Sequence, residues 1–138
     1  MSLEFVDTNV LLYAYDGSAG DRHAAALELV RRLGSSRRGA ISIQVLQEFY
    51  VNAARPGVAP NGPEGAAEYL EALARWPVHS PLPGDVVAAA RIARERQLSF
   101  WDAMIVRSAE QMGCQTLWTE DLNSGQVINS VRIANPFA

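Results

Sequence analysis

The sequence contains no lysine; all 12 of its basic residues are arginine. It holds a single cysteine, Cys114. One thiol excludes an intrachain disulfide framework and fits a reducing compartment, so the cytoplasm is expected. No apolar run approaches the length needed to cross a membrane, and no membrane association is expected. The start carries Glu4 and Asp7 where a signal peptide would have a basic segment before an apolar one, so none is expected. Low-complexity segments and internal repeats are also missing. Positive charge is in short supply: the net charge is −3, whereas a protein holding nucleic acid by bulk charge alone is usually basic. The all-arginine usage suits bidentate phosphate binding, but a GC-rich genome produces the same bias.

The 138 residues are 49% hydrophobic and 20% charged, which describes one folded domain with a substantial core. Short apolar runs read as strands over Leu3 to Val6, Ala40 to Ile43, Pro77 to Ser80, Gln115 to Thr119 and Val131 to Ala134. Helical periodicity covers Asn9 to Tyr15, Asp21 to Leu33, Gln44 to Ala54, Glu64 to Arg75, Gly84 to Arg96 and Ser99 to Met112. In the second helix the apolar stripe reads Ala24, Leu27, Val30 or Arg31, and Leu33, with Arg31, Arg32 and Gly34 at its end. In the third it reads Val45, Leu46, Phe49, Tyr50 and Ala53. Arg55 to Gly65, with three prolines, reads as a loop. It is an ordinary connector, or else a segment that touches substrate or a partner. Strands alternating with helices predict a three-layer α/β/α fold around a mostly parallel sheet.

Four acidic residues stand where such a fold disfavours them. Asp7 ends the first strand. Glu48 borders the apolar stripe of the third helix. Asp102 shares an inward face with Ile105, Val106 and Ala109. Asp121 follows the strand ending at Thr119. Each also has an ordinary reading. Asp7 suits a helix cap, Asp102 follows Ser99 in capping-box spacing, Glu48 suits solvent, and Asp121 suits a polar loop beside the rival Glu120. Taken together they suggest convergence, because ligand crevices of parallel sheets lie at the carboxyl ends of strands. Unit charges about 4 Å apart repel by roughly 4 kcal/mol at an effective dielectric near 20, so four crowded carboxylates call for a metal or a shared proton. Mg²⁺ and Mn²⁺ take oxygen ligands and can activate water against a phosphodiester.

Val6-Asp7-Thr8-Asn9, Gln47-Glu48-Phe49, Phe100-Trp101-Asp102-Ala103 and Thr119-Glu120-Asp121-Leu122, in this order and spacing, resemble the PIN domain. More narrowly, they are similar to the VapC-type toxins of prokaryotic toxin–antitoxin pairs. The resemblance covers essentially the whole chain, residues 1–138, as a single PIN-like nuclease domain. It implies a Mg²⁺- or Mn²⁺-dependent endoribonuclease that hydrolyses RNA, with transfer RNA a candidate substrate. It implies Asp7, Glu48, Asp102 and Asp121 as the catalytic and metal-binding residues, with Thr8, Asn9 and Thr119 close to the metal. It further implies a homodimer and a cognate antitoxin that covers the active site.

Two other readings compete. A PIN-fold binding module without activity would share the fold. A phosphatase of the haloacid-dehalogenase type, or a receiver domain, would share the strand-end aspartate. But Asn9 stands where the phosphatase pattern needs aspartate, and the lysine both families use is missing. His23 and His79 raise metal-free acid–base cleavage, but surface or structural roles are expected for both. Phe100 and Trp101 are expected in the core, with stacking of an RNA base as the alternative. Cys114 is expected to be buried at a strand edge. Arg91, Arg94 and Arg96 are expected on a solvated face.

Overall fold

The computed structural model describes residues 2–58 and 61–138. Among the described residues, twelve elements follow one another along the chain. They run β1 (Glu4–Val6), α1 (Thr8–Tyr15), α2 (Asp21–Ser36), β2 (Gly39–Ser42), α3 (Ile43–Ala53), α4 (Gly62–Leu73) and β3 (Val78–His79). Then come α5 (Pro83–Arg96), α6 (Phe100–Gln111), β4 (Thr116–Trp118), β5 (Val127–Ile128) and β6 (Val131–Ala134).

The strands form one sheet in the order β3-β2-β1-β4-β6-β5. All pairings are parallel except the last, β5 against β6. From β1 the chain moves outward through β2 to β3, then returns past β1 to β4. Right-handed crossovers therefore put α1 to α4 on one face and α5 and α6 on the other. The reversal falls between β1 and β4, whose register pairs Val6 with Trp118. A doubly wound sheet opens its crevice at the carboxyl ends of two such strands.

The core lies on both sheet faces, with Phe5, Val6, Ile41, Leu117 and Ile133 from the strands essentially fully buried. Val10, Leu11, Leu33, Val45, Phe49 and Val106 meet them from the helices. In α2 the buried stripe is Ala26, Leu29, Val30 and Leu33, while Ala24 is exposed and Leu27 half-buried. Val30 and Leu33 of the expected stripe are buried, but Ala24 and Leu27 are out of register, because alanine gives little contrast between the two faces. The helix also runs through Gly34 and stops at Arg37, which adopts a left-handed conformation (φ 59°). In α3, Val45, Phe49 and Ala53 are buried, but Tyr50 is exposed and Leu46 half-buried.

Strand β5 has no counterpart among the expected elements. It is two residues long and joined to β6 by Asn129 and Ser130, both at positive φ (47° and 70°), the backbone of a tight primed hairpin turn. Asparagine followed by serine lacks the glycine that usually marks that turn. The proline-rich loop is shorter than expected, since α4 begins at Gly62 with Pro63 in its first turn. Ala59 and Pro60 of that loop lie outside the described residues.

Gly39 opens β2 directly under the Trp76 indole. A Cβ there would stand 2.4 Å from the ring, too close for any real contact. Gly39→Ala should therefore lower stability by about 1–3 kcal/mol through overpacking, read as a lower urea midpoint with an unchanged slope.

Candidate metal centre

Asp7 follows β1 and is 6% exposed. It serves as both helix cap and crevice residue: one carboxylate oxygen accepts from the Thr8 amide at 2.7 Å, starting α1. The other accepts from the Thr119 hydroxyl at 2.8 Å. Thr119 follows β4 and is fully buried, and its hydroxyl also accepts from the Asp121 amide at 3.1 Å. One threonine thus joins Asp7 to the turn that carries Asp121, across the point where the sheet reverses.

The neighbouring α1 residues extend the network. The Thr8 hydroxyl donates to Glu48 at 2.7 Å, tying α1 to α3. The Asn9 amide nitrogen donates to Asp121 at 2.9 Å and lies 3.3 Å from the Thr119 hydroxyl and 3.4 Å from Asp7. Gln44 donates to Glu48 and to the Trp101 carbonyl, both at 3.2 Å, tying α3 to α6 beside Asp102. Ser99 caps α6 by accepting from the Asp102 amide at 3.1 Å, so the Asp102 carboxylate is not needed as the cap. Asp102 and Glu48 are half-buried and Asp121 is exposed.

The four carboxylates share one electrostatic environment. Burial pushes Asp7 up to about 7, against the hydrogen bonds from Thr119 and Thr8 and with added repulsion from Asp121 and Glu48. Burial also raises Asp102, again with repulsion from Asp121 and Glu48.

No cationic side chain forms an ion pair with any of the four among the described residues. Other acidic groups are treated differently. Glu4, also buried, is met by Arg32 at 3.3 Å, by Arg38 at 3.5 Å and by the Trp118 indole nitrogen at 2.8 Å. Buried Asp85 accepts from Arg107 at 2.9 Å and from the Leu82 amide at 2.8 Å, with His79 at 3.5 Å. Glu120, the rival of Asp121, is held by Arg22 at 3.1 Å and by the Tyr13 hydroxyl at 2.8 Å, turned to a cluster with Phe137. Sequence inspection passed over Glu4 and Asp85. Their arginine partners are distant in sequence, and lack of lysine alone does not leave a carboxylate unanswered.

An all-oxygen donor set without a counter-charge suits a hard divalent cation. A buried oxygen of Asn9 also lacks a hydrogen-bond partner at this place. Yet among the described residues no three Asp, Glu, His or Cys side chains close into a set able to hold an ion. The arrangement therefore fits an ion bound by one or two carboxylates and otherwise by water, the usual habit of Mg²⁺. A cleft of about 500 Å³ between Leu33, Arg37, Arg75 and Trp76 lies at the opposite, amino-terminal end of the strands, away from these carboxylates.

The remaining candidates resolve simply. His23 bonds the Tyr13 carbonyl at 2.9 Å and His79 bonds Ser108 at 2.8 Å, both structural contacts. Cys114 is buried, which pushes its thiol up to about 12. Arg91, Arg94 and Arg96 are solvent-exposed. Phe100 is half-buried, but Trp101 is 62% exposed and does not belong to the core.

Among solved structures, the chain is similar to a toxin–antitoxin complex from Klebsiella pneumoniae (17% identity, TM-score 0.72, covering 96% of this chain and 97% of that one). It is similar to a DNA-bound VapBC from Salmonella typhimurium (21%, 0.69, 99% of each chain). It also resembles VapC20 of Mycobacterium tuberculosis, a toxin that cleaves the sarcin–ricin loop (25%, 0.61, 82% of this chain and 85% of that one). No curated protein matches the sequence. The PIN domain model matches residues 5–127, and the chain belongs to the PIN domain family.

Proposed function

We propose that this protein is the toxin of a VapC-type toxin–antitoxin pair, an endoribonuclease that depends on Mg²⁺ or Mn²⁺. One observation carries the reading. Asp7 and Asp102 each feel the charges of Glu48 and Asp121 near the reversal point of the sheet, and none of the four has a cationic partner among the described residues, whereas Glu4 and Asp85 are both paired with arginine. The VapBC and VapC neighbours support the toxin role and an antitoxin partner. A homodimer and a cytoplasmic location accompany this reading.

In this mechanism Asp7, Asp102 and Asp121 would hold the metal, directly or through water. Glu48 would complete the site by binding metal or orienting the nucleophilic water. When bound, such an ion would lower the pKa of that water and stabilise charge on the scissile phosphodiester. Thr119 fixes the Asp7 carboxylate, Thr8 fixes Glu48, and Asn9 positions Asp121. In-line attack leaves a 5′-phosphate and a 3′-hydroxyl. Transfer RNA and the sarcin–ricin loop are the first substrates to try.

The open arrangement of the ligands favours one alternative, a binding module that does not cleave. Incubating antitoxin-free protein with both RNAs in Mg²⁺, Mn²⁺ or EDTA separates the two. Metal-dependent cuts at discrete positions are expected, with Asp7→Asn reducing the rate more than about 100-fold and Thr119→Val by about 10–100-fold. Cleavage that persists in EDTA or in Asp7→Asn, or products ending in a 2′,3′-cyclic phosphate, would overturn the mechanism.

Stability supplies a test that needs no substrate. Burial lifts Asp7 from its ordinary 3.8 to about 7 when folded, so above pH 7 the folded state carries an ionisation penalty. The penalty, about 4 kcal/mol at most, fades as pH falls from 7 to 3.8, because the folded state then takes up a proton that the unfolded chain does not. Metal-free wild type should therefore gain in Tm relative to Asp7→Asn between pH 8 and pH 5. At pH 8, Asp7→Asn should melt higher than metal-free wild type, and Mg²⁺ should raise the wild-type Tm but not that of the variant.

A further inference from the structure

The sequence holds three tryptophans, and two have structural partners. Trp76 lies over Gly39, and the Trp118 indole nitrogen donates to Glu4. Trp101 differs. It is 62% exposed on the first turn of α6, directly before Asp102, and meets Phe100 edge-on at 5.1 Å with the rings 76° apart. Its carbonyl accepts from Gln44, which also donates to Glu48, so its backbone is pinned between two carboxylate-bearing helices. A large ring held in water on the residue next to Asp102, with its backbone fixed, is preorganised for a planar partner.

Charge identifies that partner. The chain carries a net charge of −3, and arginines 22, 32, 38 and 107 are engaged with carboxylates. An RNA strand approaching the acidic site gains little from bulk electrostatics and must be held by contacts that need no counter-charge. Stacking on an aromatic ring is such a contact, and every nucleobase offers a face for it. Building on the ribonuclease reading, we propose that Trp101 is the stacking platform for an unpaired nucleobase of the substrate, seating the adjoining phosphodiester over the acidic site. The platform selects single-stranded or looped RNA over duplex, whose bases are already stacked.

The test uses the full-length protein in EDTA, where nothing is cut, with a short single-stranded RNA carrying 2-aminopurine. Wild type should quench the probe on binding. Trp101→Ala should weaken binding roughly ten-fold at low and at high salt alike, and Trp101→Phe should restore most of it. With metal, Trp101→Ala should raise KM by a similar factor and change kcat little. Unchanged quenching and KM in Trp101→Ala would overturn the proposal. So would a loss of dimer in light scattering with RNA binding intact, which would assign the ring to a subunit contact. If metal-loaded wild type cuts no RNA while the Trp101-dependent quench persists, the nuclease reading falls and the platform stands.

Discussion

The hydrogen bond from Thr119 to Asp7 joins the two strands between which the sheet reverses direction, and much of the site hangs on it. Asp7 sits where β1 ends and α1 begins, so its carboxylate must meet the Thr8 amide, and this starts the helix. Thr119 sits where β4 ends, so its hydroxyl reaches both Asp7 and the Asp121 amide. The parallel register of β1 and β4 places these two ends side by side. With that pair fixed, α1 also presents Thr8 to Glu48 and Asn9 to Asp121. Short polar side chains thus orient carboxylates that would otherwise turn away from one another.

The molecule treats buried negative charge in two ways. Glu4 and Asp85 are paired with arginine, and the Leu82 amide and then Arg107 hold Asp85 below the usual carboxylate range. Such groups lock elements together: Glu4 ties β1 to the end of α2, and Asp85 ties α5 to α6. At the acidic site the neighbours are hydrogen-bond donors without full charge, and repulsion persists. Keeping unanswered carboxylates near a core opposes folding, and such strain is a recurring property of sites arranged for binding or chemistry. Glu120 and Asp121 show the difference between adjacent residues: the first turns to Arg22 and Tyr13, the second to Asn9 and the crevice.

Under the proposed ribonuclease reading, a protein of net charge −3 needs local attraction to hold its substrate. A metal ion would supply it at the scissile phosphate, and an exposed indole beside Asp102 would supply it at a neighbouring base. Neither depends on the overall charge of the surface. Leu82, which caps α5, and Val86 and Val87 within it are also exposed.

Much was legible along the chain because it depends on local chemistry. Strand–helix alternation set the layered architecture, and the observed elements other than β5 fall within a few residues of the expected ones. The four acidic residues stood out because each lies at an element end or margin, and their motifs in order matched one family. What required the tertiary structure was pairing. That Glu4 finds Arg32 and Arg38, that Glu120 finds Arg22, and that Asp121 is left to Asn9 are contacts between segments far apart in sequence. Trp101 shows the same limit, because an aromatic residue beside an apolar helix face reads as core until the packing turns it outward. Periodicity and capping act over a few residues and are written locally. Which charge is answered, and which ring meets water, depends on where the folded chain brings its distant segments together.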